Sequence, residues 1–312
     1  MIRAFVGRTP AMRILIAEIE RYAAADANVL ITGETGAGKD AVAQALHKAG
    51  PRRTKPFVTI DCPSLPPTLI ESELFGFERG AFTDAATAKV GRLELAGAGT
   101  LYLDNVGELP VDSQAKLLRL VEDKRIERLG GVASMPIRAR IVASADACIE
   151  QAVQERTFRD DLYHRLRVLP LRIPPLRERR PDIRPLATRF IRDVAHRAGR
   201  EAPMLTDAAA AALESYAWPG NVRQLRHVVE ATMLTLDPSC RTVESRDLPA
   251  DVLEDGIVLH GATGSRPTLE SVECRYIEIV LRETRGRQTD AARILGISRK
   301  ALWEKRRKFG LV

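Results

Sequence analysis

Short apolar runs alternate with helical patterns through the first half of the chain. Four runs have the length of buried strands, at 29–32, 57–60, 100–104 and 137–143. Between them, apolar residues recur at helical spacing, which predicts helices over 12–24, 41–47 and 112–122. Strands that alternate with helices predict an α/β fold with a parallel sheet.

The second half of the chain has a different pattern. After Pro174-Pro175 only helical periodicity is found, over 184–198, 207–217 and 221–235, which predicts a small helical subdomain. Residues 252–266 are glycine-rich and poorly patterned, as is typical of a linker. Beyond the linker, one amphipathic helix and two shorter helices split at Gly296 are predicted. We therefore expect four segments, at 1–173, 174–250, 251–267 and 268–312.

The composition is that of a soluble globular protein. The chain has 312 residues, of which 45% are hydrophobic and 29% charged, enough for two or three domains. No apolar run approaches the length of a membrane span, and residues 1–7 do not resemble a signal peptide. Four scattered cysteines lack metal-like or redox-like spacing, so we expect a reducing, cytoplasmic location.

The positive charge is concentrated at the C-terminal end. From Arg266 onward there are twelve Arg and Lys against six Asp and Glu, so this segment carries +6 of the net +7. A local excess of this kind indicates a nucleic-acid partner.

A glycine-rich motif joins the first predicted strand to the following helix. Its residues are Gly33, Glu34, Thr35, Gly36, Ala37, Gly38 and Lys39, followed by Asp40. The glycines let backbone N–H groups surround an anion, the helix N-terminus adds its dipole, and the lysine supplies a mobile charge for the outer phosphates. Asp40 stands where a magnesium-binding Ser or Thr usually follows. An ordinary glycine-rich loop is the alternative, but the flanking strand and helix favour a nucleotide site.

Further motifs, taken with this loop, resemble one protein family along nearly the whole chain. They are Glu71-Ser-Glu-Leu-Phe-Gly76, Gly80-Ala-Phe-Thr-Asp-Ala85, Gly99-Thr-Leu-Tyr-Leu-Asp-Asn-Val-Gly-Glu-Leu-Pro110, Phe158-Arg-Asp-Asp-Leu-Tyr-His-Arg-Leu166, Pro174-Pro-Leu-Arg-Glu-Arg179 and Trp218-Pro-Gly-Asn-Val-Arg-Gln-Leu225. In this order they resemble the AAA+ sigma-54-dependent transcriptional activators, or bacterial enhancer-binding proteins. The resemblance implies a parallel-sheet AAA+ P-loop ATPase core, an α-helical lid and a C-terminal Fis-type helix-turn-helix, with ATP and Mg²⁺ as cofactors.

The resemblance assigns the hydrolytic centre but also reveals departures from the family. Asp104, at the end of an apolar strand, is the implied magnesium ligand. The family carries Glu at the next position to polarise water, whereas this chain has Asn105, whose amide cannot accept a proton. Glu108 is a candidate substitute, although a solvated acid is the stronger alternative. Ala145-Asp146 stands where the family tends to have Thr-Asn, so a carboxylate replaces an amide that reads the terminal phosphate.

Three arginines are implied to contact nucleotide. By resemblance, Arg159 and Arg165 reach from one subunit to the ATP of its neighbour as arginine fingers, and Arg223 contacts the nucleotide from the lid helix. Two surface arginines on a helix flank are the alternative for the first pair.

The loop Gly80–Asp84 is where the resemblance implies contact with sigma-54. Phe82 and Thr83 are the residues to which it assigns that contact. Asp84 replaces a Gly, which restricts the backbone and adds a negative charge.

The last two predicted helices carry the expected DNA contacts. Thr289 and Ser298 are predicted helix N-caps on either side of the turn at Gly296. Placing Leu302 inward puts Lys300, Trp303 and Arg307 on the opposite face, with Arg299 beside them, toward the major groove. Lys305, Arg306 and Lys308 would then lie nearer the phosphates. A solvated basic helix is the alternative.

Two functions remain open from the sequence. The first is an ATP-driven activator that binds enhancer DNA and remodels sigma-54 RNA polymerase, in rings that by resemblance are hexamers with pairwise DNA-binding ends. The second is a DNA-binding regulator that uses ATP only as an assembly switch and need not involve sigma-54. The chain begins almost at the ATPase segment, so we expect control by a separate regulatory protein or by expression level. A paralogue in mixed rings would be a source for a missing catalytic group.

Overall fold

The computed structural model describes residues 7–64, 66–82, 85, 87–253, 270, 273–274, 276–277, 280–281, 284 and 287–309. The chain divides into two compact units. The first comprises residues 1–186 and 218–227, and the second comprises residues 187–217 and 228–312.

A five-stranded parallel sheet forms the centre of the first unit. The strands of this unit are β1 (Val29–Thr32), β2 (Phe57–Asp61), β3 (Gly76–Phe77), β4 (Lys89–Val90), β5 (Thr100–Asp104), β6 (Arg125–Glu127), β7 (Ser134–Pro136), β8 (Arg140–Ala145) and β9 (Leu169–Arg172). The central sheet has the order β2-β5-β8-β1-β9, and each of its neighbouring pairs is parallel. Two antiparallel hairpins, β3–β4 and β6–β7, lie outside it.

Helices connect these strands. They are α1 (Pro10–Ala23), α2 (Lys39–Ala49), α3 (Pro67–Phe75), α4 (Arg92–Ala96), α5 (Val111–Asp123), α6 (Ile149–Gln154) and α7 (Asp160–Leu166). Because successive side chains of a strand point to opposite faces, the sheet supplies two separate cores. Leu30 and Leu103 join one hydrophobic cluster with Leu117, whereas Val29 and Ile31 join another.

Helices dominate the second unit. Helix α8 (Ile183–Arg197) enters it from the first unit, and α9 (Asp207–Ser215) follows. Helix α10 (Asn221–Thr235) begins in the first unit and continues into the second at Val228. The short strands β10 (Met204–Leu205) and β11 (Thr242–Val243) pair in parallel. Near the C-terminus the described positions between 270 and 281 are helical, followed by α11 (Gln288–Ile294) and α12 (Arg299–Phe309).

The predicted fold class is confirmed, with local differences. The strand predicted to begin at Ile137 begins at Arg140, because the Ile137 N–H donates to the Lys124 carbonyl and the preceding residues pair with β6. The linker 251–267 lies mostly outside the described residues, and the four domain limits stay predictions. Within the described part of the chain, no helix combines the length and apolar character that crossing a bilayer requires.

Candidate nucleotide site and DNA-binding surface

The phosphate loop leaves β1 at the carboxyl edge of the central sheet. Lys39 opens α2, is 7% exposed, and donates from Nζ to the Gly33 carbonyl at 2.8 Å. Burial lowers the pKa of Lys39, whereas the nearby carboxylates of Asp146 and Asp104 raise it and the charge of Arg223 lowers it. The structure therefore brings these predicted site residues together around one lysine.

The first residues of α10 pack against the phosphate loop. The Arg223 N–H donates to the Gly36 carbonyl at 3.3 Å, and the Asn221 amide donates to the Thr35 carbonyl at 3.1 Å. Gly36 has φ +76°, and a Cβ there would lie 2.3 Å from the Gly220 carbonyl oxygen. The close approach of these two backbones requires a glycine at position 36.

Glu34 fixes the same loop from a second direction. Its carboxylate accepts two hydrogen bonds from the Arg177 guanidinium, at 2.8 and 2.6 Å, and one from the Asn221 amide at 3.1 Å. These bonds, with the bond from Arg177 as the larger cause, hold the pKa of Glu34 below its ordinary value. The buried Asn221 also accepts the Leu176 N–H at 2.8 Å. Arg177 and Asn221 are not among the site residues predicted from the sequence, although both lie inside motifs that carry the family resemblance.

Asp104 is the last residue of β5, and one of its two carboxylate oxygens accepts hydrogen bonds from described side chains. Its Oδ1 accepts the Tyr102 hydroxyl at 2.7 Å and the Ser144 hydroxyl. Ser144 in turn accepts the Asn105 backbone N–H at 2.9 Å. Asn105 has φ +55°, a left-handed conformation that Asn adopts more readily than most residues. The backbone of Asn105 is thus tied to the Asp104 carboxylate through Ser144.

Other carboxylates lie along this edge of the sheet. Asp61 is the last residue of β2 and is paired in register with Asp104, so the two side chains share a face on strands about 4.8 Å apart. Asp146 follows β8 and accepts the Ala147 N–H at 2.7 Å. Glu108 is exposed at the end of a 3-10 turn. Asp61 is not among the predicted site residues, because it lies one position beyond the strand predicted at 57–60.

Within the described residues, no three His, Cys, Asp or Glu side chains are arranged to hold a metal ion by themselves. Asp104 Oδ2 nevertheless accepts no hydrogen bond from that part of the chain.

Both predicted arginine fingers form ion pairs within their own chain, and Arg165 lies away from its phosphate loop. Arg159 is half-buried and forms a bidentate ion pair with Asp161, at 3.0 and 2.7 Å. Arg165 pairs with Glu122 at 3.0 Å, and its carbonyl accepts the Asn28 amide at 2.9 Å. Asn28 immediately precedes β1, so Arg165 lies at the amino edge of the sheet, opposite the loop.

Residues in and near the predicted sigma-54 loop contact neighbouring strands and helices. Phe82 is 45% exposed and packs edge-on against Phe77, with ring centroids 4.8 Å apart. Arg128, which follows β6, binds Glu78 and Glu94 through its guanidinium. Thr83 and Asp84 lie outside the described residues.

The C-terminal helices form a compact helix-turn-helix around Leu302, which is 0% exposed. Gly296 has φ +66°, and the Ser298 hydroxyl accepts the Ala301 N–H at 3.1 Å as an N-cap of α12. The predicted cap at Thr289 is wrong, because α11 begins at Gln288 and Thr289 lies inside its first turn.

The predicted reading face of α12 is exposed. Its members are Arg299, Lys300, Trp303 and Arg307. The Arg307 guanidinium lies 5.6 Å from the centre of the Trp303 ring. Lys305 and Lys308, expected nearer the phosphates, instead pair with Glu273 and Glu270 of the preceding helical segment.

These features define a P-loop nucleoside-triphosphate-binding protein of the AAA+ class. The phosphate loop joins a parallel strand to its helix, an acid lies at the same edge of the sheet, and a helical segment is hydrogen-bonded to the loop. The Sigma-54 interaction domain matches residues 5–172, the AAA+ ATPase lid domain matches 177–260, and the Fis family of bacterial regulatory proteins matches 268–309. The chain therefore belongs to the family of sigma-54-dependent transcriptional activators.

Individual relatives agree with this assignment. The DNA-binding transcriptional activator HyfR of Escherichia coli K12 is 40% identical over 97% of this chain, which spans 47% of HyfR. The sigma54-dependent transcriptional activator SfnR of Pseudomonas putida is 38% identical over 95% of this chain and 85% of its own length. The crystal structure of NtrX from Brucella abortus with ADP has a TM-score of 0.75 and 36% identity, over 99% of this chain and 70% of that one. NtrX was also solved with ATP.

Proposed function

We propose that this protein is an ATP-dependent transcription activator that binds DNA and acts on sigma-54 RNA polymerase. The observation that carries the proposal is that the charges of Asp104, Asp146 and Arg223 all act on Lys39, with both acids at the carboxyl ends of their strands. The phosphate loop is also hydrogen-bonded to the first residues of α10. Buried backbone N–H groups and a lysine in this arrangement suit a triphosphate.

Magnesium would bind through Asp104. Mg²⁺ usually takes one or two carboxylates and completes its shell with water and substrate phosphate oxygens. The donors on Asp104 Oδ1 orient the carboxylate, and Oδ2, which accepts no hydrogen bond from the described residues, would be available to the ion. Asp40 offers a second carboxylate in place of the usual hydroxyl. The metal would offset charge on the phosphates, while the protein residues hold the nucleotide in line with the attacking water.

Arg159 and Arg165 would act on the nucleotide of a neighbouring subunit. The side chains are 39% and 62% exposed, and their ion pairs with Asp161 and Glu122 face solvent, so that the arginines would exchange these partners for phosphate. A ring, with six subunits by resemblance, would bring them to the next phosphate loop. Phe82 and Thr83 would contact sigma-54, and α12 would read the major groove of an upstream DNA site.

A reconstituted transcription assay tests the proposal. The purified chain, sigma-54 RNA polymerase holoenzyme and a promoter with its upstream site should form open complexes only with hydrolysable ATP. Lys39→Ala should abolish both ATP retention and open complexes, whereas Lys48→Ala, which changes an exposed lysine of the same helix, should have no effect. Open complexes of equal yield with Lys39→Ala would remove the phosphate loop from the proposed function.

A second candidate function rests on Asn105. Without a carboxylate at that position, ATP can serve as an assembly switch for a DNA-binding regulator with little hydrolysis. In that case ATP retention would depend on Lys39 and drive assembly, but open complexes would form equally well with a non-hydrolysable analogue or would not involve sigma-54.

A further inference from the structure

Gln114 is a buried polar residue of the first unit to which the proposed function gives no role. It lies on α5 and is 0% exposed. A polar side chain is buried at a cost unless its donors and acceptors find partners. The partners of Gln114 therefore indicate what it holds in place.

Within the described residues, the side chain of Gln114 makes three hydrogen bonds, all to backbone groups of two other segments. Nε2 donates to the carbonyls of Leu109 at 2.8 Å and Thr157 at 3.0 Å. Oε1 accepts the Arg159 N–H at 2.9 Å. The reverse orientation of the amide would set its NH₂ group against the Arg159 N–H, so the partners fix the orientation.

The two segments belong to different nucleotide sites in the proposed ring. Leu109 closes the 3-10 turn that starts directly after Asp104 and Asn105, in the subunit's own site. Arg159 is the arginine that the same subunit would present to its neighbour. Asp161 holds the guanidinium of Arg159, while Gln114 holds its backbone N–H.

We propose that Gln114 is a positioning residue that links the Asp104–Leu109 segment of one subunit to the Arg159 that this subunit presents to the next. The inference rests on the proposed function, because it requires a ring in which Arg159 contacts the neighbour's nucleotide. Since one amide is bonded on both sides, a displacement of the Asp104–Leu109 segment is transmitted to the backbone at 157–159. Such a contact is a physical carrier for coupling between two nucleotide sites.

Nucleotide affinity measured below and above the ring-forming concentration tests this link. The probe is a fluorescent, non-hydrolysable ATP analogue with Mg²⁺, bound to the full-length chain. In the unsubstituted protein, affinity should rise about tenfold on assembly, because each site gains a charge-assisted contact from a neighbour. Gln114→Met keeps the side-chain size and removes all three hydrogen bonds. It should keep the affinity of the unassembled chain and lose the rise, as Arg159→Ala should. A reduced affinity below the ring-forming concentration would overturn the inference, because it would place the fault in the subunit's own site.

Mixed rings distinguish a fault in the subunit's own nucleotide site from the loss of the contact that the subunit makes with its neighbour. Gln114→Met is mixed with excess Lys39→Ala, which binds no probe but offers an intact Arg159. Tight binding by the Gln114→Met subunits should then return, and Arg159→Ala in the same mixture is the matched control. If tight probe binding returns in the mixture with Arg159→Ala but not in the mixture with Gln114→Met, the role of Gln114 is overturned and the proposed function stays intact. If Arg159→Ala fails to recover, the contact between subunits is wrong, and the inference falls with that part of the proposed function.

Gln114→Glu decides the question if Gln114→Met does not fold. A protonated Glu keeps an acceptor and one donor, whereas an ionised Glu loses both donors. Because burial raises the pKa of a carboxyl group, to about 8–9 in documented buried Glu residues, the side chain should be protonated at about pH 6 and largely ionised at about pH 9.5. The rise in affinity on assembly should be present at the lower pH and lost at the higher, while the unsubstituted protein keeps it at both. A rise in the variant that is independent of pH would overturn the inference.

Discussion

At the residue scale, the chemistry depends on how Asp104 and Asn105 are held. Two hydroxyls orient the Asp104 carboxylate, and one of them, Ser144, also fixes the Asn105 backbone. Positioning and electrostatics carry most of phosphoryl transfer, so a site without a base at position 105 retains some activity. We therefore expect weak ATP turnover that depends on assembly.

The source of any general base can be found with three substitutions. Asn105→Glu should raise kcat by about a hundredfold without much change in ATP affinity, because the effect lies in the transition state. Asp61→Asn should lower the residual kcat if the neighbouring strand supplies the carboxylate, and Glu108→Gln is the parallel test for the 3-10 turn. Steady-state turnover at ring-forming concentration is the measurement. Equal rates for Asn105→Glu and the unsubstituted protein would mean that a carboxylate already does this work.

The sequence predicted the identities at this site better than their contacts. The phosphate loop and Asp104 follow from local order along the chain, because a strand, a glycine turn and a helix are contiguous. Asp61 became a neighbour of Asp104 only through strand pairing, and Tyr102 and Ser144 became partners of its carboxylate only through packing. The contacts of Asp61 and Ser144 join residues far apart in sequence, and no periodic pattern encodes them. Tyr102 is only two residues from Asp104, and the alternation of a strand places the two on one face, but the hydrogen bond between them needs the packing around β5.

At the element scale, the beginning of α10 works as a clamp on the phosphate loop. Asn221 combines φ +51° and complete burial with bonds to Glu34, Thr35 and Leu176. The helix was predicted at 221–235, and its contact with residues 34–36 was not, because helical periodicity describes one face and not its partner.

Removing the Asn221 side chain should loosen this clamp. Asn221→Ala leaves buried polar groups unpaired and strains a left-handed backbone, so unfolding free energy should fall by about 2–4 kcal/mol. Asn221→Gly relieves the backbone strain but not the lost hydrogen bonds, and it separates the two causes. Urea unfolding and ATP affinity are the measurements, and both variants should bind ATP more weakly. Unchanged affinity in both would mean that the clamp does not shape the loop.

The Glu34–Arg177 pair gives the clamp a pH dependence. The pKa of Glu34 is lowered in the folded chain, so its contribution to stability is present above its ordinary value of 4.5 and is lost as pH falls through the lowered pKa. The side chains are 31% and 44% exposed, and screening limits the effect to below about 1 kcal/mol. Glu34→Gln should flatten the unfolding free energy in the acid range relative to the unsubstituted protein. Parallel curves would show that the pair contributes nothing.

Helix α12 should carry the DNA contact. Arg299→Ala and Lys300→Ala should each weaken promoter binding. Each should also reduce the slope of log affinity against log salt concentration by about one, because each removes a charge near DNA. Arg246→Ala removes the same charge from an exposed site in the second unit, where the side chain is 79% exposed, and should change neither quantity. The salt slope from DNA-binding titrations is the measurement. If the salt dependence of DNA affinity is identical in all three variants, the predicted face of α12 does not contact DNA.

At the scale of the whole molecule, the separation of Arg165 from its own phosphate loop is the governing feature. The Arg165 carbonyl is bonded to Asn28 at one end of β1, and the loop begins at the other end, about 13 Å away along the strand. A single subunit therefore cannot complete its own site with this arginine. Arg165→Ala should bring turnover to background, whereas Arg167→Ala, a nearby exposed arginine, should retain most of it. Turnover by isolated subunits at the rate of the assembled protein would contradict this division.

If Arg165 of one subunit completes the nucleotide site of another, as proposed, two subunits must meet before ATP is cleaved, and the reaction order in protein should exceed one. Doubling the number of copies in a cell would then more than double the rate of ATP cleavage. Below a threshold copy number the protein would bind ATP without hydrolysing it. Gene dosage and synthesis rate thereby become input signals in their own right, since the protein would measure its own abundance through the frequency with which subunits meet.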